Sequence, residues 1–169
     1  MSDSHSVAST LREKIIEHLF VGELLRYLWC LGRTDIDVLR PEVDRGGYDI
    51  SMSCNGVVRH IQLKASYKEA RTPKVNVNKS LADRVGGCVI WIRFNQKTLE
   101  LGPYYWFGGY GTAPMPDLGT RIARHTRASS SGKRAARPMI RELTKSRFSK
   151  MNSIEQVADK LFGIAPPAA

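Results

Sequence analysis

Two short segments of alternating polarity, joined through Asn55-Gly56, constrain this chain more than any other feature. In Tyr48-Asp49-Ile50-Ser51-Met52 the polar residues fall at 49 and 51, and in His60-Ile61-Gln62-Leu63-Lys64 they fall at 60, 62 and 64. Strand side chains point alternately to opposite faces, so each segment reads as a half-buried strand. Asn-Gly is the strongest short signal for a tight hairpin. A hairpin with one buried face has a fixed register, because a slip of one residue would turn every apolar group outward. The pairing therefore brings Asp49 near Gln62 and Lys64. A carboxylate, an amide carbonyl and an ammonium would meet across one strand pair, an inventory suited to a divalent cation beside a phosphate.

An Asp followed on a hairpin by Gln/Glu-Xaa-Lys, with a helix carrying an acidic residue upstream, resembles the PD-(D/E)XK nuclease superfamily, the restriction-endonuclease-like fold. The stretch from Arg40 to Asp49 and the run Ile61-Gln62-Leu63-Lys64-Ala65-Ser66 are similar to its Mrr-like branches, which carry Gln in place of the usual Glu. The resemblance spans about residues 11–94. It implies an α/β fold, with a central mixed β-sheet flanked by helices. It also implies metal-dependent hydrolysis of phosphodiester bonds, with DNA as the expected substrate and Mg²⁺ or Mn²⁺ as the cofactor. By the same resemblance Asp49 would bridge the metal, Gln62 would offer its side-chain carbonyl and Leu63 its backbone carbonyl. Lys64 would stabilise charge on the phosphate or orient the attacking water. Glu23 would supply the helix acid, preferred to Glu17 because its place among apolar helix neighbours is costly for a carboxylate without a partner. Asp44 and Ser66 are accessory candidates, and His60 reads as structural. The chain departs from the common motif in two ways: Gln62 removes one negative charge, and Tyr48 stands where a proline often precedes the aspartate.

Charge agrees with a polyanionic partner. The 169 residues carry 26 Lys/Arg against 16 Asp/Glu, a formal net charge of +10, which favours nucleic acid over an anionic membrane surface. Through residue 50 there are nine acids against six Lys/Arg; thereafter there are seven against twenty. Acids thus gather near the candidate metal site, and cations lie beyond it. No apolar run approaches the ~20 residues of a membrane span. Cys30, Cys54 and Cys88 make no CxxC pair, so reduced thiols and a cytoplasmic location are expected.

The length suits a single domain over residues 11–165, after a disordered segment at 1–10. Apolar residues from Leu11 to Leu31 recur at helical spacing, with Thr10 and Glu13 as a capping box and Gly32 as the stop. Val89-Ile90-Trp91-Ile92-Arg93-Phe94 is nearly continuous in β-favouring residues, as for a strand covered on both faces. The cluster Tyr104-Tyr105-Trp106-Phe107 reads as an edge strand with its rings in the core, or as a platform for bases. Residues 111–138 read as a loop bearing Arg121, Arg124, Arg127, Lys133, Arg134 and Arg137, an arm suited to phosphate contact. Residues 138–148 and 153–162 read as C-terminal helices. The alternative to a nuclease is a nucleic-acid-binding module on the same fold without catalysis. By analogy with fold members that cut both strands, a homodimer is compatible with either.

Overall fold

The computed structural model describes residues 8–43, 45–125, 132 and 134–165. Helix α1 (Ser9–Cys30) buries Ile16, Glu17, Phe20, Val21, Leu24, Tyr27 and Leu28, the three-and-four spacing of one helical face. The expected capping box does not form: Ala8 is the N-cap and no side chain caps the helix. At the other end Gly32 turns the chain with φ +72°, a conformation that favours glycine.

Among the described residues nine strands follow: β1 (Asp37–Leu39), β2 (Ile50–Cys54), β3 (Val57–Tyr67), β4 (Lys74–Asn78), β5 (Gly87–Phe94), β6 (Leu101–Gly108), β7 (Ile122–Arg124), β8 (Ala136–Thr144) and β9 (Ser149–Met151). Helix α2 (Ile154–Phe162) closes the fold. The main sheet has the order β1-β2-β3-β5-β6-β9, and a second sheet has the order β4-β8-β7. Strands β3 and β5 are parallel, and their neighbours are antiparallel. The chain is therefore α/β with a central mixed sheet.

Parallel neighbours need a crossover, which is usually a helix. Here the crossover from β3 to β5 runs through β4 and a 3₁₀ turn at 79–83, so the connection itself founds the second sheet. Three layers result. One face of the main sheet packs on α1 and α2 through Phe20, Leu24, Ile61, Ile90, Ile92 and Leu161. The other face packs on the small sheet through Val77, Val89, Trp91, Phe107 and Leu143. All eight residues of β5 are buried, as its unbroken apolar run requires.

Three expectations change. Residues 138–148 are not helical: β8 occupies Ala136–Thr144, pairing with β4 and β7, and a 3₁₀ turn follows. Sheet pairing, together with the burial of Leu143, overrides local helix propensity there. The stretch at 111–138 holds β7 and the start of β8 rather than loop alone. The aromatic run forms β6, which lies between β5 and β9 rather than at an edge. Tyr104, Tyr105, Trp106 and Phe107 are buried, which removes them as a stacking platform. The edges of the main sheet are β1 and β9.

Candidate active site

The hairpin forms in the register its alternation demands. Ile50 pairs with Ile61 and Met52 with Arg59, and Asn55 and Gly56 form the turn with φ of 55° and 71°. Positive φ at both positions is the geometry that Asn-Gly supplies for strands of right-handed twist. Asp49 stands one residue before β2, and its N–H donates to the Ile61 carbonyl at 2.9 Å. Its Oδ2 accepts the N–H of Leu63 at 2.6 Å. The Asp49 side chain is thus fastened to the backbone of the strand that carries Lys64.

Asp49, Leu63 and Lys64 line one cleft of about 530 Å³ between β3 and the first turns of α1. From the helix come Thr10, Glu13 and Glu17, and from the end of β3 and the loop after it come Ser66, Tyr67, Ala70 and Thr72. Glu17 is buried at 6 % exposure. Its Oε1 accepts from Arg40 Nε at 2.7 Å and its Oε2 from Lys14 Nζ at 2.9 Å. Burial opposes the charged form of Glu17, but the hydrogen bonds and charges of Arg40 and Lys14 outweigh it and lower the pKa.

The loop after β3 is held from beneath by Arg93, which is 3 % exposed. Its Nη1 donates to Ser66 Oγ at 3.1 Å, and its Nη2 donates to the carbonyls of Lys68, at 3.0 Å, and Ala70. Trp91 Nε1 donates to the same Ser66 oxygen at 2.5 Å. This buried arginine was not foreseen from the sequence. Its signal was visible, though: a cation inside an otherwise apolar β5 needs fixed acceptors nearby.

No family model and no curated protein matches this chain. Among solved structures, the bacterial homing endonuclease I-Ssp6803I is similar at 19 % identity and TM-score 0.35, over 74 % of this chain and 85 % of that one.

Two of the expected site residues are not in this cleft. Glu23 is six residues beyond Glu17 on α1 and accepts from the Tyr104 hydroxyl at 3.0 Å. It lines a separate shallow depression with Ile15, His18, Leu19, Gly22 and Arg26. The awkward carboxylate inferred from the sequence finds its partner in a tyrosine, and the helix acids that line the cleft with Asp49 are Glu13 and Glu17. Gln62 lies opposite Val89 on the face toward the small sheet. It is 8 % exposed, and its Oε1 accepts the N–H of Asn78 at 3.2 Å. Its amide oxygen thus ties β3 to β4. His60 packs edge-on against Tyr48, with ring centroids 4.8 Å apart, and its Nδ1 contacts the Val85 carbonyl at 3.0 Å.

Arg121, Arg124, Arg134 and Arg137 are all exposed along β7, the start of β8 and their flanks. Asp44, Arg127 and Lys133 lie outside the described residues. Among those described, no three His, Cys, Asp or Glu side chains converge as a ready metal cage, and no helix is long and apolar enough to cross a membrane.

Proposed function

We propose that this protein is a metal-dependent endonuclease acting on DNA. The observation that carries the reading is that Asp49, Leu63 and Lys64 line one cleft, whose helix wall carries Glu13 and Glu17. The lining offers carboxylates and hydroxyls but no thiol or imidazole, which suits a hard cation such as Mg²⁺ or Mn²⁺, and it also carries Arg12, Lys14 and Lys64, cations suited to a phosphate. Asp49 and the Leu63 carbonyl would hold the cation, with Glu17 or Glu13 closing the site from the helix. Such a cation supplies Lewis-acid stabilisation of charge on the phosphoryl oxygens.

The chain's own residues do the rest. Lys64 places a positive charge at the phosphate and orients the attacking water. Asp49, fixed by the Leu63 amide, needs little reorganisation to present its carboxylate. Gln62 acts at one remove, by fixing the path of β3 through Asn78. The exposed arginines of β7 and β8 are suited to neutralising backbone phosphates along the duplex.

A binding module without catalysis is favoured by one observation: the oxygens of Glu17 are already engaged by Arg40 and Lys14, and that of Gln62 by Asn78. Incubation of the purified protein with plasmid and linear DNA in Mg²⁺ or Mn²⁺ separates the two readings. Cleavage by wild type and not by Asp49→Ala supports the nuclease. Salt-sensitive binding with no cleavage under either metal supports the module.

A further inference from the structure

The cleft contains a hydroxyl whose hydrogen-bonding role is almost fully dictated. A serine oxygen offers two lone pairs and one proton. Both lone pairs of Ser66 are taken, by Trp91 Nε1 at 2.5 Å and Arg93 Nη1 at 3.1 Å. Neither donor can be turned around, because indole N–H and guanidinium N–H groups only donate. What remains to Ser66 is to donate its own proton, and among the described residues it has no acceptor. The half-buried residue lines the cleft two positions after Lys64 on β3. Residues two apart on a strand share a face, so Ser66 and Lys64 lie on the side of β3 that Gln62 takes, opposite Arg93 and Trp91, at the end of the strand that borders the cleft.

We propose that Ser66 is a substrate-positioning residue, whose hydroxyl donates to a non-bridging phosphate oxygen of the nucleic-acid backbone next to the one held by Lys64. The inference rests on the nuclease reading of the cleft and deepens it. Trp91 and Arg93 fix the hydroxyl before any ligand arrives, so little rotamer freedom is lost on binding. Arg93 also holds the carbonyls of Lys68 and Ala70, so the same guanidinium sets both the donor and the loop at the cleft rim. A phosphate is a strong, charged acceptor of the kind a lone hydroxyl donor suits.

The test compares wild type, Ser66→Ala and Ser66→Thr on a DNA duplex. Binding is measured over a salt series, cleavage in Mg²⁺ or Mn²⁺, and the melting temperature alongside. Ser66→Ala should lose about tenfold in affinity or in kcat/KM, the scale of one hydrogen bond to a charged group. The slope of log K against log salt should not change, because serine displaces no counterion. Ser66→Thr, which keeps the hydroxyl, should recover most of the loss. Should Ser66→Ala melt early through the loss of the Trp91 and Arg93 acceptor, Ser66→Cys, close in shape but a weak donor, serves in its place and should show the same loss. If wild type binds and cuts DNA while the hydroxyl-free variant matches it throughout, the role of Ser66 is overturned and the nuclease reading stands. If wild type neither binds nor cuts, both fall together.

Discussion

The main-chain N–H of Leu63 donates to the carboxylate of Asp49 across a 2.6 Å hydrogen bond. This contact lets the chemical and structural roles of Asp49 be separated. Asp49→Asn keeps an acceptor for the amide, so it should fold with near wild-type stability and lose cleavage. Asp49→Ala should lose cleavage and also about 1–3 kcal/mol of stability, the penalty for a partly buried N–H left without a partner. Urea melts beside a plasmid assay read both effects.

The helix acid can be assigned by two parallel substitutions. Glu17→Gln should lower metal-dependent cleavage at least tenfold, whereas Glu23→Gln should leave it within about twofold. Tyr104→Phe removes the only donor of that hydrogen bond whereas Glu23→Gln keeps an acceptor for it, so Tyr104→Phe should cost more stability than Glu23→Gln.

Glu17 also fixes the direction of one pH effect. Its folded pKa lies below the ordinary value of 4.5, against the pull of burial, because Arg40 and Lys14 hold the charged form. A carboxyl depressed in this way stabilises the fold at pH above its unfolded pKa and loses that stabilisation as the pH falls through the folded one. Wild type should therefore lose stability on acidification below about pH 4.5 more steeply than Glu17→Gln. Both partner side chains are partly solvated, at 42 % and 61 % exposure, so the difference should stay near ~1 kcal/mol. Urea midpoints across the acid range measure it.

Arg59 is a structural cation, fully buried at 0 % exposure. Its Nε and Nη2 donate to the Leu161 and Lys160 carbonyls at the end of α2, and its Nη1 donates to Gly109. Helix C-termini leave carbonyls unpaired, and this guanidinium satisfies two of them. Arg59→Met should cost at least ~3 kcal/mol by orphaning three acceptors, with a melting-temperature fall of about 6–12 °C for a domain of this size. Lysine should not rescue it, because one ammonium cannot span the fork.

The thiols should divide by burial. Cys30 is exposed, whereas Cys54 and Cys88 are buried, and burial pushes the Cys88 thiol up to about 12. A thiolate is the reactive form. Titration with a thiol reagent near neutral pH should label Cys30 at once, and Cys54 and Cys88 only after denaturant is added.

The hairpin, α1 and the buried β5 were legible because each obeys a period that burial enforces. The order of strands around β3 was not, since a crossover through β4 leaves no local trace. Strand β8 was misread for the same reason: its partners in β4 lie 62 to 70 positions earlier, along the register from Lys74–Thr144 to Asn78–Ile140. At the site, alternation placed Asp49 and Lys64 together, and the Asn-Gly turn fixed their register. It could not choose between Glu17 and Glu23, because that choice depends on where α1 crosses the sheet and on a tyrosine 81 residues away. Nor could it show that Gln62 would find an acceptor role in Asn78, a contact made only once the second sheet has docked.

That last contact has a mechanical outcome. Beside the apolar cluster between the two sheets, the Gln62 amide ties the strand bearing the ammonium to the layer bearing the arginines, so a shift of one against the other would break it. On the nuclease reading, shortening residue 62 to alanine should therefore weaken cleavage more than affinity for a duplex.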